Sequence, residues 1–209
     1  MIRLVSLFGS QLNLNGDLAN IKVIERQLGW RGLDVQVIDC TTAEQLREAR
    51  PDFVLVGHGS VAAWKSIETE FAKVCSVLDE LISAGVVALA VSSGFEALHP
   101  HLAVLRGQSF ESKSRVSKFD LSDFEGHQVL GYRNTEAQLS SLSRHGSLVG
   151  TMLHGPVLVK NPELLESTLR VICAHAEVDL PEIQSKEKAD QLADLVSRVW
   201  KLEEVLASE

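Results

Sequence analysis

Through the first half of the chain, short apolar runs alternate with stretches whose apolar residues return every three or four positions. Ile2–Phe8 is the first run, and after a loop of Gly, Ser and Asn the residues Leu18, Ile21, Ile24 and Leu28 recur at helical spacing. Asp17 stands where a helix N-cap is expected, and Gly29 and Gly32 stand where that helix should end. Leu33–Asp39 alternates apolar and polar residues, as a strand near a sheet edge does, and Thr42–Arg50 fits a short helix. Asp52–Gly57 is continuously apolar, the signature of a strand buried on both faces of a parallel sheet. A long helix is expected over about Trp64–Ala84, and Val86–Val91 is the next buried strand. The β-α-β-α-β-α-β order predicts an α/β fold, an open and mostly parallel sheet with helices on both faces.

The second half changes rhythm. Ser109–Lys118 and His127–Arg133 fit antiparallel strands, Arg144-His145 falls in an expected solvated loop, and Ser147–Leu153 returns to an apolar strand. Asn161–Ala176 reads as a helix with Pro162 at an early position, where its missing N–H costs little. Asp179–Lys186 carries Pro181 and reads as a linker to a final helix, Glu187–Leu206, with Leu192, Leu195, Val196, Val199, Leu202 and Val205 on one face. The expected division is therefore a domain over 1–178 followed by a linker and terminal helix over 179–209.

Composition narrows the function classes. Charged residues make up 23 % and hydrophobic residues 45 %, ordinary for a soluble globular protein, and the longest apolar run, Gly85–Val91, is far below the ~20 residues that span a bilayer. With no export signal at the start, the expected location is cytoplasmic, without membrane insertion. The net charge of −8, with no basic cluster, argues against nucleic-acid binding. Cys40, Cys75 and Cys173 are far apart, in apolar contexts and without zinc-ligand spacing, so each is expected to be a buried small hydrophobe. His99 and His101 flank Pro100 on an expected surface turn, with no carboxylate in register for a metal. No cofactor or metal site is expected.

In open α/β sheets, ligands collect at the carboxyl ends of the strands. Three ends carry unusual residues: Gly57-His58-Gly59-Ser60, Ser92-Ser93-Gly94 and His154-Gly155-Pro156. Ala90-Val91-Ser92-Ser93-Gly94 nearly matches the G-x-S-x-G elbow, which exposes a nucleophile at a sharp strand-to-helix turn and aims backbone N–H groups at the oxyanion. A Ser-Ser-Gly turn also serves as a plain connector. His154, at the end of a later strand, is placed to act as general base. His58 reads either as a base or ligand, or as a loop histidine held by backbone. Trp30, Trp64 and Trp200 read as packing residues, with Trp200 the best placed for a partner contact.

The segment Leu89-Ala90-Val91-Ser92-Ser93-Gly94-Phe95-Glu96-Ala97-Leu98 resembles the nucleophile elbow of class I glutamine amidotransferases of the CobB/CobQ type, and Gly150-Thr151-Met152-Leu153-His154-Gly155-Pro156 resembles their catalytic-histidine segment. The resemblance is strongest to the GatD-type glutaminase subunits. Leu12-Asn13-Leu14-x-x-Asp17-x-x-Asn20-Ile21, Glu111-Ser112-Lys113 and the continuation to Lys160-Asn161 extend it over nearly the whole chain. It implies a flavodoxin-like fold, glutamine as substrate, and a MurT-like ligase partner that uses ATP to amidate lipid II. By resemblance the nucleophile falls on Ser92, the general base on His154, the oxyanion loop on Gly57, His58 and Gly59, and a glutamine-binding arginine on Arg115. The sequence departs from the pattern where cysteine has become Ser92, the next glycine Ser93 and the usual glutamine Glu96. Two other readings stay open: a catalytically inactive scaffold or binding subunit, and a serine hydrolase of the same fold.

Overall fold

The computed structural model of the chain describes residues 1–107 and 112–208. Its elements are β1 (Ile2–Leu7), α1 (Ala19–Trp30), β2 (Val35–Cys40), α2 (Ala43–Ala49), β3 (Phe53–Val56), α3 (Val61–Ser83), β4 (Val87–Val91) and α4 (Ser93–Leu98). They continue as β5 (Ser112–Phe124), β6 (His127–Ala137), β7 (Leu142–His145), β8 (Leu148–Thr151), β9 (Leu153–His154), α5 (Val157–Lys160), α6 (Pro162–His175) and α7 (Lys186–Ser208). The main sheet has the order β2-β1-β3-β4-β8-β7 and is parallel except for β7. No helix among the described residues is long and apolar enough to cross a membrane.

The sheet divides its apolar residues with the period of two that a pleated strand imposes. Val54, Val56, Ala88 and Ala90 face a core completed by Phe71, Val74, Leu78 and Ile82 of α3. Phe53, Leu55, Val87 and Leu89 face the other core, closed by Ile21, Ile24 and Leu28 of α1 and Leu165, Leu169 and Ile172 of α6. Helices thus cover both faces. Cys40, Cys75 and Cys173 are buried within these two cores.

Several local expectations are corrected. Asp17 does not cap α1: the N-cap is Leu18, whose N–H is taken by Asn13 Oδ1 at 2.9 Å, while Asp17 is buried and turned toward the loop after β3. Gly29 lies inside α1 rather than ending it, and Gly32, with φ +79°, makes the turn. The long helix starts earlier than its apolar pattern, at Val61, because the Ser60 hydroxyl accepts the Ala63 N–H at 3.2 Å. Arg144 and His145 belong to the edge strand β7, where Arg144 pairs with Glu125. Residues 109–111 of the expected strand Ser109–Lys118 lie outside the described residues; β5 then runs on to Phe124 and pairs with β6.

The expected strand Ser147–Leu153 is two strands. Thr151 donates its hydroxyl to the Ser141 carbonyl at 2.8 Å and accepts the Leu153 N–H at 3.0 Å. This turns the chain out of the main sheet at Met152, and β9 joins a second, antiparallel sheet, β5-β6-β9. The switch matters because it carries His154 back across the end of β4.

After the irregular stretch 177–185, α7 packs against α5 and strands β5 and β6, with grooves left between it and helices α1 and α6. Val196 is buried, the Trp200 indole donates to the Lys160 carbonyl, and Lys160 pairs with Glu203 at 2.7 Å. Leu192 is partly buried against the core that α1 and α6 close, while Leu195, Val199, Leu202 and Val205 stay in solvent, with Leu195 57 % and Leu202 70 % exposed.

A glycine contact ties the top of the sheet together. A Cβ at Gly57 would lie 1.9 Å from the Leu12 carbonyl oxygen, so only glycine lets the loop after β1 rest on the end of β3. Gly57→Ala is expected to cost about 3 kcal/mol, at or above the usual range for overpacking. By contrast, Gly29→Ala meets open space in a helix and should stabilise by about 0.5–1 kcal/mol. Urea unfolding of the two variants checks both signs.

Candidate active site

Strand β4 delivers Ser92 to the carboxyl edge of the sheet in a backbone conformation that few non-glycine residues adopt, φ +49° and ψ −117°. Holding such a residue costs on the order of 1–3 kcal/mol and persists only where neighbours over-determine it. Here the Ser92 N–H donates to the Thr151 carbonyl at 2.6 Å, fixing the end of β4 to the end of β8. Two residues on, a Cβ at Gly94 would lie 2.5 Å from the Gly57 carbonyl oxygen, so α4 packs against β3 only because that position is bare. The result is a sharp strand-to-helix elbow. Ser92 itself is 2 % exposed, yet it lines a cleft of about 500 Å³.

His154, swung over by the β8–β9 switch, places Nε2 at 3.0 Å from Ser92 Oγ. The same Nε2 is 3.0 Å from the Asn134 carbonyl oxygen, and Nδ1 is 2.7 Å from Asn15 Nδ2. These partners fix the tautomer. A carbonyl oxygen only accepts, so Nε2 carries the proton, and Nδ1 is left to accept from the Asn15 amide. Burial lowers the His154 pKa below its ordinary 6.5, against an upward pull from the Asn134 hydrogen bond and with a still smaller downward push from the Arg115 charge. The ring is therefore neutral near pH 7, with its proton facing Ser92. In that state it cannot take the proton of the Ser92 hydroxyl. For it to act as base, the proton must move to Nδ1 and the Asn15 amide must turn to present oxygen.

His58 packs against His154, ring centroids 4.6 Å apart. Its Nδ1 lies 2.9 Å from Ser93 Oγ and accepts the Ser93 backbone N–H at 3.3 Å. Ser93 Oγ also accepts from Gly59 N–H at 3.1 Å and from the Trp64 indole at 2.8 Å. Trp64 is thus a polar member of the site as well as a packing residue. Burial, and then the neighbouring His154, push the His58 pKa down to about 4. Asp17, fully buried, accepts from the Asn15 N–H at 3.4 Å and the His58 N–H at 3.3 Å, so one carboxylate braces both flanking loops. Its pKa is raised, chiefly by burial.

The far wall of the cleft carries Arg115, Asn134, Thr135, Glu136 and Glu96. Arg115 is exposed and its Nε donates to Asn134 Oδ1 at 2.8 Å. Burial raises the Glu96 pKa, with opposing help from the Thr135 hydroxyl and a further rise from Glu136. The six positions singled out in the sequence, Ser92, His154, Gly57, His58, Gly59 and Arg115, converge on this one edge of the sheet. A larger cavity, about 980 Å³, lies beneath α7 and away from Ser92. Asn15, Asn134 and the bracing role of Asp17 were not legible: Asn15 sits in a loop without periodic pattern, Asn134 acts through its carbonyl in the middle of β6, and Asp17 carries the residue type of a helix cap. No group of His, Cys, Asp and Glu that could hold a metal occurs among the described residues.

No family model matches the chain. It is 26 % identical over 196 aligned positions to the lipid II isoglutaminyl synthase (glutamine-hydrolyzing) subunit GatD of Staphylococcus aureus, covering 78 % of this chain and 81 % of that one. The GatD subunit of Streptococcus pneumoniae is 21 % identical over 240 positions, with 94 % and 92 % covered. Among solved structures, the glutaminase domain of Trypanosoma brucei CTPS superposes with a TM-score of 0.51 at 11 % identity, over 88 % of this chain and 97 % of that one. The fold is the flavodoxin-like, class I glutamine amidotransferase-like arrangement, and the chain's resemblance to GatD runs along most of its length.

The tautomer is directly observable. Long-range ¹H–¹⁵N spectra of histidine-labelled protein should show His154 protonated on Nε2 and titrating below 6.5. Asn15→Asp supplies an acceptor for Nδ1–H, so it should switch the tautomer and move the midpoint upward. A wild-type signal from Nδ1–H would mean that Ser92 already faces a base at rest.

Proposed function

We propose that this chain is the glutaminase-type subunit of a glutamine amidotransferase, with Ser92 in the nucleophile position and His154 as its proton-transfer partner. The observation that carries the reading is the elbow: a buried serine at φ +49° with an imidazole nitrogen 3.0 Å from its hydroxyl, at the ligand-binding edge of the sheet. The likeness to GatD supports glutamine as the substrate.

In this reading the glutamine side chain enters the cleft while Arg115 meets its α-carboxylate and Glu96 and Glu136 meet its α-ammonium. Oxygen Oγ of Ser92 attacks the amide carbon as His154, in its Nδ1–H form, takes the hydroxyl proton. His154 then gives that proton to the departing nitrogen, releasing ammonia and leaving a glutamyl ester. Water hydrolyses the ester to glutamate and regenerates the hydroxyl. A serine hydroxyl near pH 7 needs a stronger base than a cysteine thiol does, and His154 is held neutral in the opposite tautomer. Turnover by the chain as it stands is correspondingly slow. The same observation favours the second reading, a subunit that keeps the fold and the partner surface while its chemistry is lost.

Ammonia released into water is protonated and lost as a nucleophile, so a glutaminase of this kind works against a synthetase. The proposed partner is a MurT-like ligase that uses ATP and amidates lipid II. The exposed stripe Leu195, Val199, Leu202, Val205 and Leu206 on α7 offers apolar contact, and the charge of −8 favours a basic surface opposite it.

Ammonia release from glutamine, assayed with the ligase present, should be about a hundredfold or more slower for the wild-type chain than for Ser92→Cys, the scale of a lost proton-transfer step. Fast release by the serine form would point to a serine hydrolase, and no gain in Ser92→Cys would point to the scaffold. Co-expression with the ligase should yield a stable heterodimer on size exclusion, weakened by Leu195→Glu combined with Leu202→Glu. Separate elution at micromolar concentration would reject the pairing.

A further inference from the structure

An acyl-transfer elbow depends on two backbone donors, the N–H of the residue after the nucleophile and an N–H from the loop after a neighbouring strand. In this chain those are the N–H groups of Ser93 and of the His58-Gly59 loop. Both are already in use. The Gly59 N–H is held by Ser93 Oγ at 3.1 Å, and the Ser93 N–H by His58 Nδ1 at 3.3 Å. The two side chains also hold each other, Ser93 Oγ lying 2.9 Å from His58 Nδ1, and the Trp64 indole donates to the same hydroxyl at 2.8 Å. With the Gly59 carbonyl also 3.2 Å away as an acceptor for its proton, Ser93 Oγ lies among four polar atoms beside the donors that a tetrahedral oxyanion would need.

We infer that Ser93 and His58 close the oxyanion pocket from within, so that acyl chemistry at position 92 is limited by these two side chains as well as by the nucleophile. The inference deepens the glutaminase reading and takes its donor pair from that reading of the elbow. It assigns a role to two residues that the mechanism above does not use. The arrangement is self-supporting. A neutral His58 with Nδ1 as acceptor satisfies Ser93, and the Ser93 hydroxyl satisfies the Gly59 and Trp64 donors at the wall of the cleft. A substrate oxyanion binds there only by displacing the Ser93 hydroxyl or turning the His58 ring away.

The test separates oxyanion stabilisation from nucleophile strength, and uses no glutamine. In the S92C background, the thiol is acylated with p-nitrophenyl acetate, which passes through a tetrahedral oxyanion, and separately alkylated with iodoacetamide, which does not. Both rates are measured at one pH for S92C, S92C/S93A, S92C/S93G and S92C/H58A. S93A and S93G release the Gly59 N–H, and H58A releases the Ser93 N–H. Each should raise acylation about tenfold or more, a part of the roughly 10²–10³ that one oxyanion donor contributes, with alkylation changed by less than about twofold. Unchanged acylation, or acylation and alkylation rising together, would overturn the proposal. A variant that loses its folded circular-dichroism signal is replaced by the other, since S93A and H58A free different donors. Because neither probe is glutamine, failure of the glutaminase assay leaves this result standing, and the reverse also holds.

Discussion

The site hangs on how closely the carboxyl ends of β3 and β4 can approach. Gly94 rests against the carbonyl oxygens of Val56 and Gly57, at distances that leave no room for a Cβ, and Gly57 rests in turn on the Leu12 carbonyl. These bare contacts stack three loops on one another, and the elbow at Ser92 is the conformation that the stack leaves available. The Ser92 N–H bonded to Thr151 completes the restraint from the β8 side. Strain of this kind is retained only when several independent contacts impose it. Removing the spacing at Gly57 would therefore reach the nucleophile position without touching it.

The second determinant is the departure of the chain from the main sheet at Met152. Thr151 satisfies both the outgoing Leu153 N–H and the Ser141 carbonyl, so the backbone leaves one sheet and enters another without an orphaned polar group. That crossing lets His154 face Ser92 while its ring is flanked by Asn134 from β6 and Asn15 from the first loop. Each flank sets a proton. Asn134 demands Nε2–H, and Asn15 accepts that choice at Nδ1. The tautomer of the imidazole is thus decided by two uncharged groups, and its charge by burial ahead of the Asn134 hydrogen bond and Arg115, with no carboxylate bonded to the ring.

Much of the architecture was legible from apolar periodicity, because parallel strands buried on both faces read as unbroken hydrophobic runs. Val86–Val91 and Asp52–Gly57 needed no more than that, and the edge position of Leu33–Asp39 showed in its alternation. The errors fell where side-chain hydrogen bonds overrule pattern. Asp17 has the residue type and position of a cap, yet the long-range demand of the His58 N–H, with the local Asn15 N–H beside it, turned it inward. Ser147–Leu153 is one apolar run in sequence, and only the Thr151 bonds divide it. At the site, the strand-end motifs brought Ser92, His154 and the His58 loop to notice. The partners that set their protonation, Asn15 and Asn134, lie in segments of no distinctive composition.

The substitutions around the elbow make more sense together than singly. A serine at position 93 introduces a hydroxyl into a pocket of N–H donors, and a histidine at position 58 introduces an acceptor beside it; each supplies what the other lacks. Without Ser93, the Nδ1 acceptor of the half-buried His58 ring and the Gly59 and Trp64 donors on the cleft wall would lose the hydroxyl they share. Paired, they convert a cluster of exposed donors into a closed network. A catalytic pocket keeps unsatisfied donors because the transition state will use them, and that readiness lowers the stability of the resting protein. Here the donors are already bonded at rest, and the network that holds them pulls in the opposite direction to turnover. The strained Ser92 backbone remains beside it, fixed by glycine contacts that serve the packing of β3, β4 and α4 whatever chemistry takes place above them.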